Sequence, residues 1–253
     1  MQYLMIHDIH PEYFDLNLDQ YRLTFDDGLF SQYYYYPLYR DHPEKLTFFI
    51  TTSFIQPGPA RSMFCGRYIP YLKPKKYMYR SFIEQRFDHF MTIEELQELA
   101  AKPNVQIGVH SHLHDVILTR SHARKRKPLS KWKLERFQNS SEIGRQNLSV
   151  RSKIAFQGFY FQDGLLKRRS ILEWEEYIKY DTEQCLKWVA DNLGFTPELY
   201  CFPFNEHNEK LIPLLKSFGL HKFFAARPGK STQVLGRLDI DSLVADKAQG
   251  CAI

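Results

Sequence analysis

The chain has 253 residues, 43% of them hydrophobic and 15% aromatic, which suffices for one large core and argues against disorder. Its formal charge of +5 is too modest to imply nucleic-acid binding, and it leaves anionic substrates or acidic membrane surfaces open. Cys65, Cys185, Cys201 and Cys251 lack C-x-x-C or any other ligand spacing and read as reduced thiols of a cytosolic protein. The first residues show no basic region followed by a long apolar run, and no segment approaches a membrane span. A cytoplasmic location without a transmembrane segment is expected, with peripheral membrane contact still allowed.

The apolar run Tyr3 to Ile6 reads as a buried first strand ending at His7-Asp8. Tyr21 to Phe25 is the second strand and delivers Asp26-Asp27-Gly28. Gly28 lets the backbone turn there, so two adjacent carboxylates are set at a strand end. Ionised neighbours repel unless a cation or a shared proton relieves them. One Asp could hold a metal while the other acts as a base, although an Asp-Asp-Gly tripeptide alone is more often a solvated turn. The tyrosine run Tyr33 to Tyr36 suits a helix packed on the core better than a platform for sugar rings, and Leu46 to Ile50 is a third strand.

Residues 56–90 look irregular, interrupted by Pro57, Pro59, Pro70 and Pro74. Arg61, Arg67, Tyr68, Tyr71 and Lys73 in this stretch suit a carbohydrate-binding rim and surface packing equally. Met91 to Ala100 is a helix with Thr92 as N-cap and Glu95 completing a capping box. Val105 to Val109 is the fourth strand and ends at His110-Ser111-His112-Leu113-His114. His110 and His114, four residues apart, can present two imidazoles to one cation.

From Arg120 to Arg136 there are eight Lys or Arg and one acid, Glu135. Such a block is usually a solvated face, and beside a site it could recognise phosphate or a uronate. Ile154 to Phe161 reads as a strand or hairpin, and Ser170 to Leu193 as an amphipathic helix stopped by Gly194. Leu199 to Phe202 is a strand followed by Pro203-Phe204-Asn205. A helix over Leu211 to Phe218, a strand over Lys222 to Ala226, a turn at Pro228-Gly229 and a last strand near Leu238 to Ile240 complete the pattern. The alternation predicts an α/β protein with a parallel sheet, most economically a single-domain (β/α) barrel over 1–253 with a basic insertion at about 120–170. Barrel chemistry lies at the C-terminal ends of strands, where His7, Asp26, Asp27, His110 and Phe204 all fall.

Leu23-Thr24-Phe25-Asp26-Asp27-Gly28 and His110-Ser111-His112-Leu113-His114 resemble the first two motifs of the polysaccharide deacetylases, T-F-D-D-G and H-[ST]-x-x-H. This is the NodB-homology or carbohydrate esterase family 4 group. Tyr200-Cys201-Phe202-Pro203-Phe204-Asn205 resembles the third motif in a weaker form. The similarity covers about residues 3 to 115 and 172 to 245, outside the basic region.

The resemblance implies a distorted or incomplete barrel and metal-dependent removal of an acyl group from an N-acylated sugar. By the family pattern Asp27, His110 and His114 hold one divalent ion, with zinc as the default and cobalt, nickel, manganese or iron as alternatives. Asp26 is then the base, and a backbone N–H near Phe204 helps the metal hold the oxyanion. Cys201 stands where the family often has an Arg that orients the base. The late L-x-H motif is absent, and in circularly permuted relatives the corresponding strand comes first, so His7 of Leu4-Met5-Ile6-His7 is nominated as the acid, with His207 and His221 as the reserve candidates.

The resulting expectation is a cytoplasmic N-deacetylase acting on a nucleotide- or lipid-linked N-acetylated sugar in bacterial surface-glycan synthesis, such as that of lipopolysaccharide O-antigen or capsule. Two rivals stand beside it. One is a metal-dependent hydrolase of another amide, a deformylase or cyclic imidase; the other is a deacetylase-like barrel that binds glycan without cleaving it.

Overall fold

Short apolar runs become strands where both faces are covered, and longer amphipathic ones become the helices that cover them. The computed structural model describes residues 1–120, 129–137, 143, 147–227 and 233–248. Its strands are β1 (Gln2–Ile6), β2 (Tyr21–Asp27), β3 (Leu46–Ile50), β4 (Val105–Val109), β5 (Val116–Arg120), β6 (Leu148–Ser152), β7 (Phe159–Gln162), β8 (Leu165–Arg168), β9 (Leu199–Cys201), β10 (Lys222–Ala225) and β11 (Val234–Asp239). The helices are α1 (Phe30–Tyr34), α2 (Tyr36–Tyr39), α3 (Pro74–Phe82), α4 (Ile93–Ala100), α5 (Lys131–Phe137), α6 (Ile171–Leu193), α7 (Leu211–Lys216) and α8 (Ile240–Ala248).

Seven strands close a parallel barrel in the order β1-β11-β10-β9-β4-β3-β2. The first strand thus lies between the second and the last, with Ile6 paired to Phe25 and Tyr3 to Arg237. Because side chains alternate along a strand, one residue in two points inward. Phe49, Leu199, Cys201 and Phe224 form a buried interior cluster, with the Phe49 and Phe224 rings 4.9 Å apart. Gly108 is required beside it, since a Cβ there would stand 2.6 Å from the Phe49 ring. The alternate residues, among them Leu4, Ile6, Leu23, Phe25, Phe48 and Ile50, belong to the large core shared with the helices.

Thr92, Glu95 and Gly194 act as the sequence suggests. Thr92 and Glu95 form the capping box of α4, and Ser170 with Glu173 forms that of α6, which ends at left-handed Gly194. The tyrosine run spans α1 and α2, and Tyr33, Tyr34, Tyr35 and Tyr36 are all buried as core. Pro74, expected as an interruption, instead occupies the first turn of α3, where its missing N–H costs nothing. Arg61 takes the packing role of the two expected for it. It pairs with the fully buried Glu95 at 2.6 Å and lies 3.6 Å over the Phe30 ring, fastening the 56–64 stretch to α4.

A second, antiparallel sheet, ordered β6-β5-β7-β8, is built from residues between 116 and 168. The region around Ile154 to Phe161 therefore contains the start of a hairpin, β7 to β8. This sheet shares a core with α3 and α5, in which Phe82 stacks on Trp132 at 5.0 Å. Arg124 to Lys127, the Pro228-Gly229 turn and Cys251 lie outside the described residues. Among the described residues, no helix is long and apolar enough to cross a membrane.

Candidate active site

The C-terminal ends of β1, β2, β4 and β9 meet around a cavity of about 230 Å³ lined by His7, Asp26, Asp27, His110, His114 and Phe204. The expected site residues are thus brought together, and His207 and His221 are not among those lining it. His207 instead packs against Phe202, 5.1 Å between ring centres. Several of these residues sit in strained backbone. Asp27, Ser111, His114, Phe204 and Asn205 all have positive φ, a conformation unfavourable for side chains with a Cβ.

The two carboxylates are equally buried, at 1% exposure each, yet they have different partners. Asp26 makes a two-point contact with the guanidinium of Arg237: Nη1 donates to Oδ1 at 2.6 Å and Nη2 to Oδ2 at 2.8 Å. Arg237 comes from β11 and is itself 3% exposed. Burial alone would push the Asp26 carboxyl up, but Arg237 and then His110 more than offset it, holding it well below the usual carboxylate range. Asp26 is therefore ionised at neutral pH. The same Nη2 reaches Cys201 Sγ at 2.9 Å and Asn205 Oδ1 at 3.1 Å. Arg237 thus comes from another strand and stands against Cys201, the position where the resemblance expects an arginine.

Asp27 faces the histidines. Its Oδ1 lies 3.5 Å from both His110 Nε2 and His114 Nε2, and among the described residues no hydrogen-bond donor reaches it. His110 Nδ1 is 2.8 Å from the Cys201 carbonyl, which can only accept, so Nδ1 carries the proton and Nε2 turns a lone pair toward Asp27. Burial pushes the His110 imidazole down to about 4 and that of His114 to about 3, keeping both neutral at pH 7. A buried carboxylate oxygen against an imidazole lone pair is unfavourable without a cation between them. This donor set suits a divalent metal. Tyr77 donates to the other oxygen, Oδ2, at 2.8 Å and fixes the carboxylate plane.

Asp26, His110 and Cys201 also converge closely. That group suits a cation poorly: both Asp26 oxygens are bound to Arg237, and burial pushes the Cys201 thiol up, leaving it protonated.

The histidine loop is held from behind. Asp181 of α6, fully buried, accepts the backbone N–H groups of His112 at 3.0 Å and Leu113 at 2.9 Å. His112 turns away from the cavity, its Nδ1 2.8 Å from Thr52 Oγ1. His7 stands opposite, its Nε2 4.0 Å from Asp26 Oδ2. Gln32 ties the two strand ends together by donating to the carbonyls of His7 at 2.9 Å and Asp26 at 2.6 Å. The Phe204 ring packs on His114 at 4.4 Å.

Comparison with solved structures matches this architecture. The BpsB deacetylase domain of Bordetella bronchiseptica superposes with a TM-score of 0.58 at 18% identity, covering 87% of this chain and 70% of that one. IcaB from Ammonifex degensii gives 0.55 at 14% identity, covering 99% and 97%. A de-N-acetylase from Aggregatibacter actinomycetemcomitans gives 0.54 at 16%, covering 94% and 78%. The barrel has the polysaccharide-deacetylase fold. At the level of sequence, no family model and no curated relative matches the chain.

Within that deacetylase-type barrel, Arg237, Tyr77, Trp132 and Lys133 adjoin or line the cavity without being singled out by sequence motifs. Arg237 carried one usable signal. Within the run Val234 to Asp239 it is a cation at an inward-facing position of a strand, which needs a buried anion as partner.

Proposed function

We propose that this chain is a metal-dependent N-deacetylase of a carbohydrate. The observation that carries the reading is the division of labour between two adjacent buried carboxylates, Asp26 on a guanidinium and Asp27 on two neutral imidazoles. Asp27, His110 and His114 would hold the cation, zinc being the chemical default for this donor set. A divalent ion bound there would polarise the acyl oxygen and lower the pKa of water.

The remaining steps belong to the protein. Asp26, kept ionised by Arg237, accepts the proton of the attacking water. His7, on the far side of Asp26, delivers a proton to the departing nitrogen, because an amine leaves far more readily as the neutral species. The backbone N–H in the left-handed turn at Phe204 is the proposed donor to the oxyanion. Trp132, Met78 and Phe204 supply apolar walls that limit water around the reacting amide. The alternative of a barrel that binds without cleaving has Cys201, at the position where the resemblance expects an arginine, as its support; against it, Asp26 keeps an arginine partner in Arg237.

The structures this fold matches include a protein described as a de-N-acetylase, which supports an N-acetylated saccharide as substrate. We place that sugar on a nucleotide or lipid carrier in the cytoplasm, in the assembly of a surface glycan such as lipopolysaccharide. The direct test is acetate release from N-acetylated saccharides before and after chelation and metal restoration. His114→Ala is expected to lose its metal by elemental analysis while its circular dichroism is unchanged. Stoichiometric metal in that variant would remove His114 from the ligand set.

His7 has a separate test. His7→Ala should keep its metal and slow amide hydrolysis by about 10²–10⁴-fold, the scale of a lost general acid. Activated aryl esters, whose leaving groups need no proton, should be slowed far less. Equal slowing of both substrates would take the acid role away from His7.

A further inference from the structure

A second and larger concavity, about 790 Å³, adjoins the catalytic cavity along α3. Lys73, Lys75, Lys76, Arg80, Arg86 and Lys131 line it, against a single carboxylate, Glu84. Arg86 is paired with Asp88 at 3.4 Å and Lys131 with Glu135 at 3.5 Å. Among the described residues, no carboxylate pairs with Lys73, Lys75, Lys76 or Arg80. Four uncompensated cations in one concave wall repel one another, and an anion between them relieves that repulsion.

The groove is continuous with the reaction centre. Lys75 lines both concavities, and Pro74 at the start of α3 lines the catalytic one. Lys133 extends the cationic path inside. It is half-buried, its Nζ 5.3 Å from the Phe204 ring centre and 5.5 Å from that of Trp132, and it donates a long 3.4 Å hydrogen bond to the Val150 carbonyl. Among the described residues, the most exposed large apolar side chains, Met1, Leu165 and Leu172, do not line the groove. The clustered cations, with the Tyr71 and Tyr79 rings beside them, suit a discrete anion carried on a larger molecule.

We propose that this groove holds the phosphate of a phosphate-linked saccharide whose N-acetyl group reaches Asp26 and Asp27. The proposal rests on the deacetylase reading for the role of that acetyl group, but the anion site itself is measurable without catalysis. Nucleotide-linked and polyprenyl-linked sugars share the required chemistry.

The test uses the metal-loaded protein and two probes that differ by one phosphate, N-acetylglucosamine and N-acetylglucosamine 1-phosphate. Calorimetry should show the phosphorylated sugar binding about tenfold more tightly, an advantage that shrinks as salt rises. In Lys73→Gln/Lys76→Gln/Arg80→Gln the advantage should vanish, while metal content and the weak binding of the neutral sugar stay unchanged. Phosphate bound directly to the metal would leave the advantage intact in that variant and overturn the groove. Equal affinity of the two sugars, or no measurable binding of the phosphorylated one, would also overturn it.

Affinity for uridine diphosphate N-acetylglucosamine against undecaprenyl-diphosphate-linked N-acetylglucosamine in detergent micelles then separates the two carriers. Acetate release is read independently. Tight, groove-dependent binding without acetate from any substrate would defeat the deacetylase reading and leave the anion site standing.

Discussion

Asp26→Asn is expected to keep its metal and lose about 10²–10⁴-fold in acetate release, the usual scale for a removed general base. An amide cannot take a proton from water, while Asp27, His110, His114 and the Tyr77 hydroxyl that steadies Asp27 are untouched. The carboxamide still offers one oxygen to Arg237 but turns an NH₂ group toward the second guanidinium nitrogen. A loss of about 1–3 kcal/mol in stability should accompany the substitution, as for a buried donor left without an acceptor. Acetate release at saturating substrate, metal content and urea unfolding separate these effects. Full activity would place the base elsewhere, and parallel loss of metal would move Asp26 into the ligand set.

Arg237→Met carries the second large effect, and it acts on both stability and rate. Removing one partner of a buried ion pair leaves the other charge without compensation, which costs about 3–5 kcal/mol. Thr24, Cys201 and Asn205 lose their guanidinium contacts as well.

The sign of the pH effect follows from the direction of the Asp26 shift. Burial raises that carboxyl and Arg237 leads the interactions that lower it, so deleting the guanidinium moves Asp26 upward. A base that protonates at higher pH loses activity sooner on acidification. The acid limb of the kcat/KM profile should therefore shift to higher pH. Arg237→Lys keeps the charge without the two-point geometry and should fall between the parent and Arg237→Met. A reduced rate with an unmoved acid limb would make Arg237 a purely structural residue.

Much of the candidate site at this end of the barrel was legible because its signals are local. Leu23 to Gly28 contains a strand, a turn and both carboxylates, and Val105 to His114 contains a strand and both imidazoles. Capping at Thr92 is likewise a short-range matter, since its side chain bonds a backbone N–H three residues on. Composition and period do not reveal that β1 closes the barrel, but the family resemblance suggested it through His7, and the pairing of Ile6 with Phe25 sets that histidine beside Asp26.

What stayed hidden depends on contacts distant in sequence. Tyr77 lies in a stretch whose prolines read as interruptions, although Pro74 starts the helix that carries the hydroxyl to Asp27. The basic groove is assembled from the surface of α3 and from Lys131, which the sequence assigned only to a charged block.

Arg237 is the plainest case. The motif position for an arginine holds Cys201, and a reading confined to motifs finds the charge missing there. The motifs that carry the family resemblance were enough to nominate Asp26, Asp27, His7, His110 and His114, because each lies at or just beyond the strand end that bears it. The partner of Asp26 could be decided only by closure of the barrel, which brings a strand 211 residues later across the interior. There a buried carboxylate requires a cation, whichever strand supplies it.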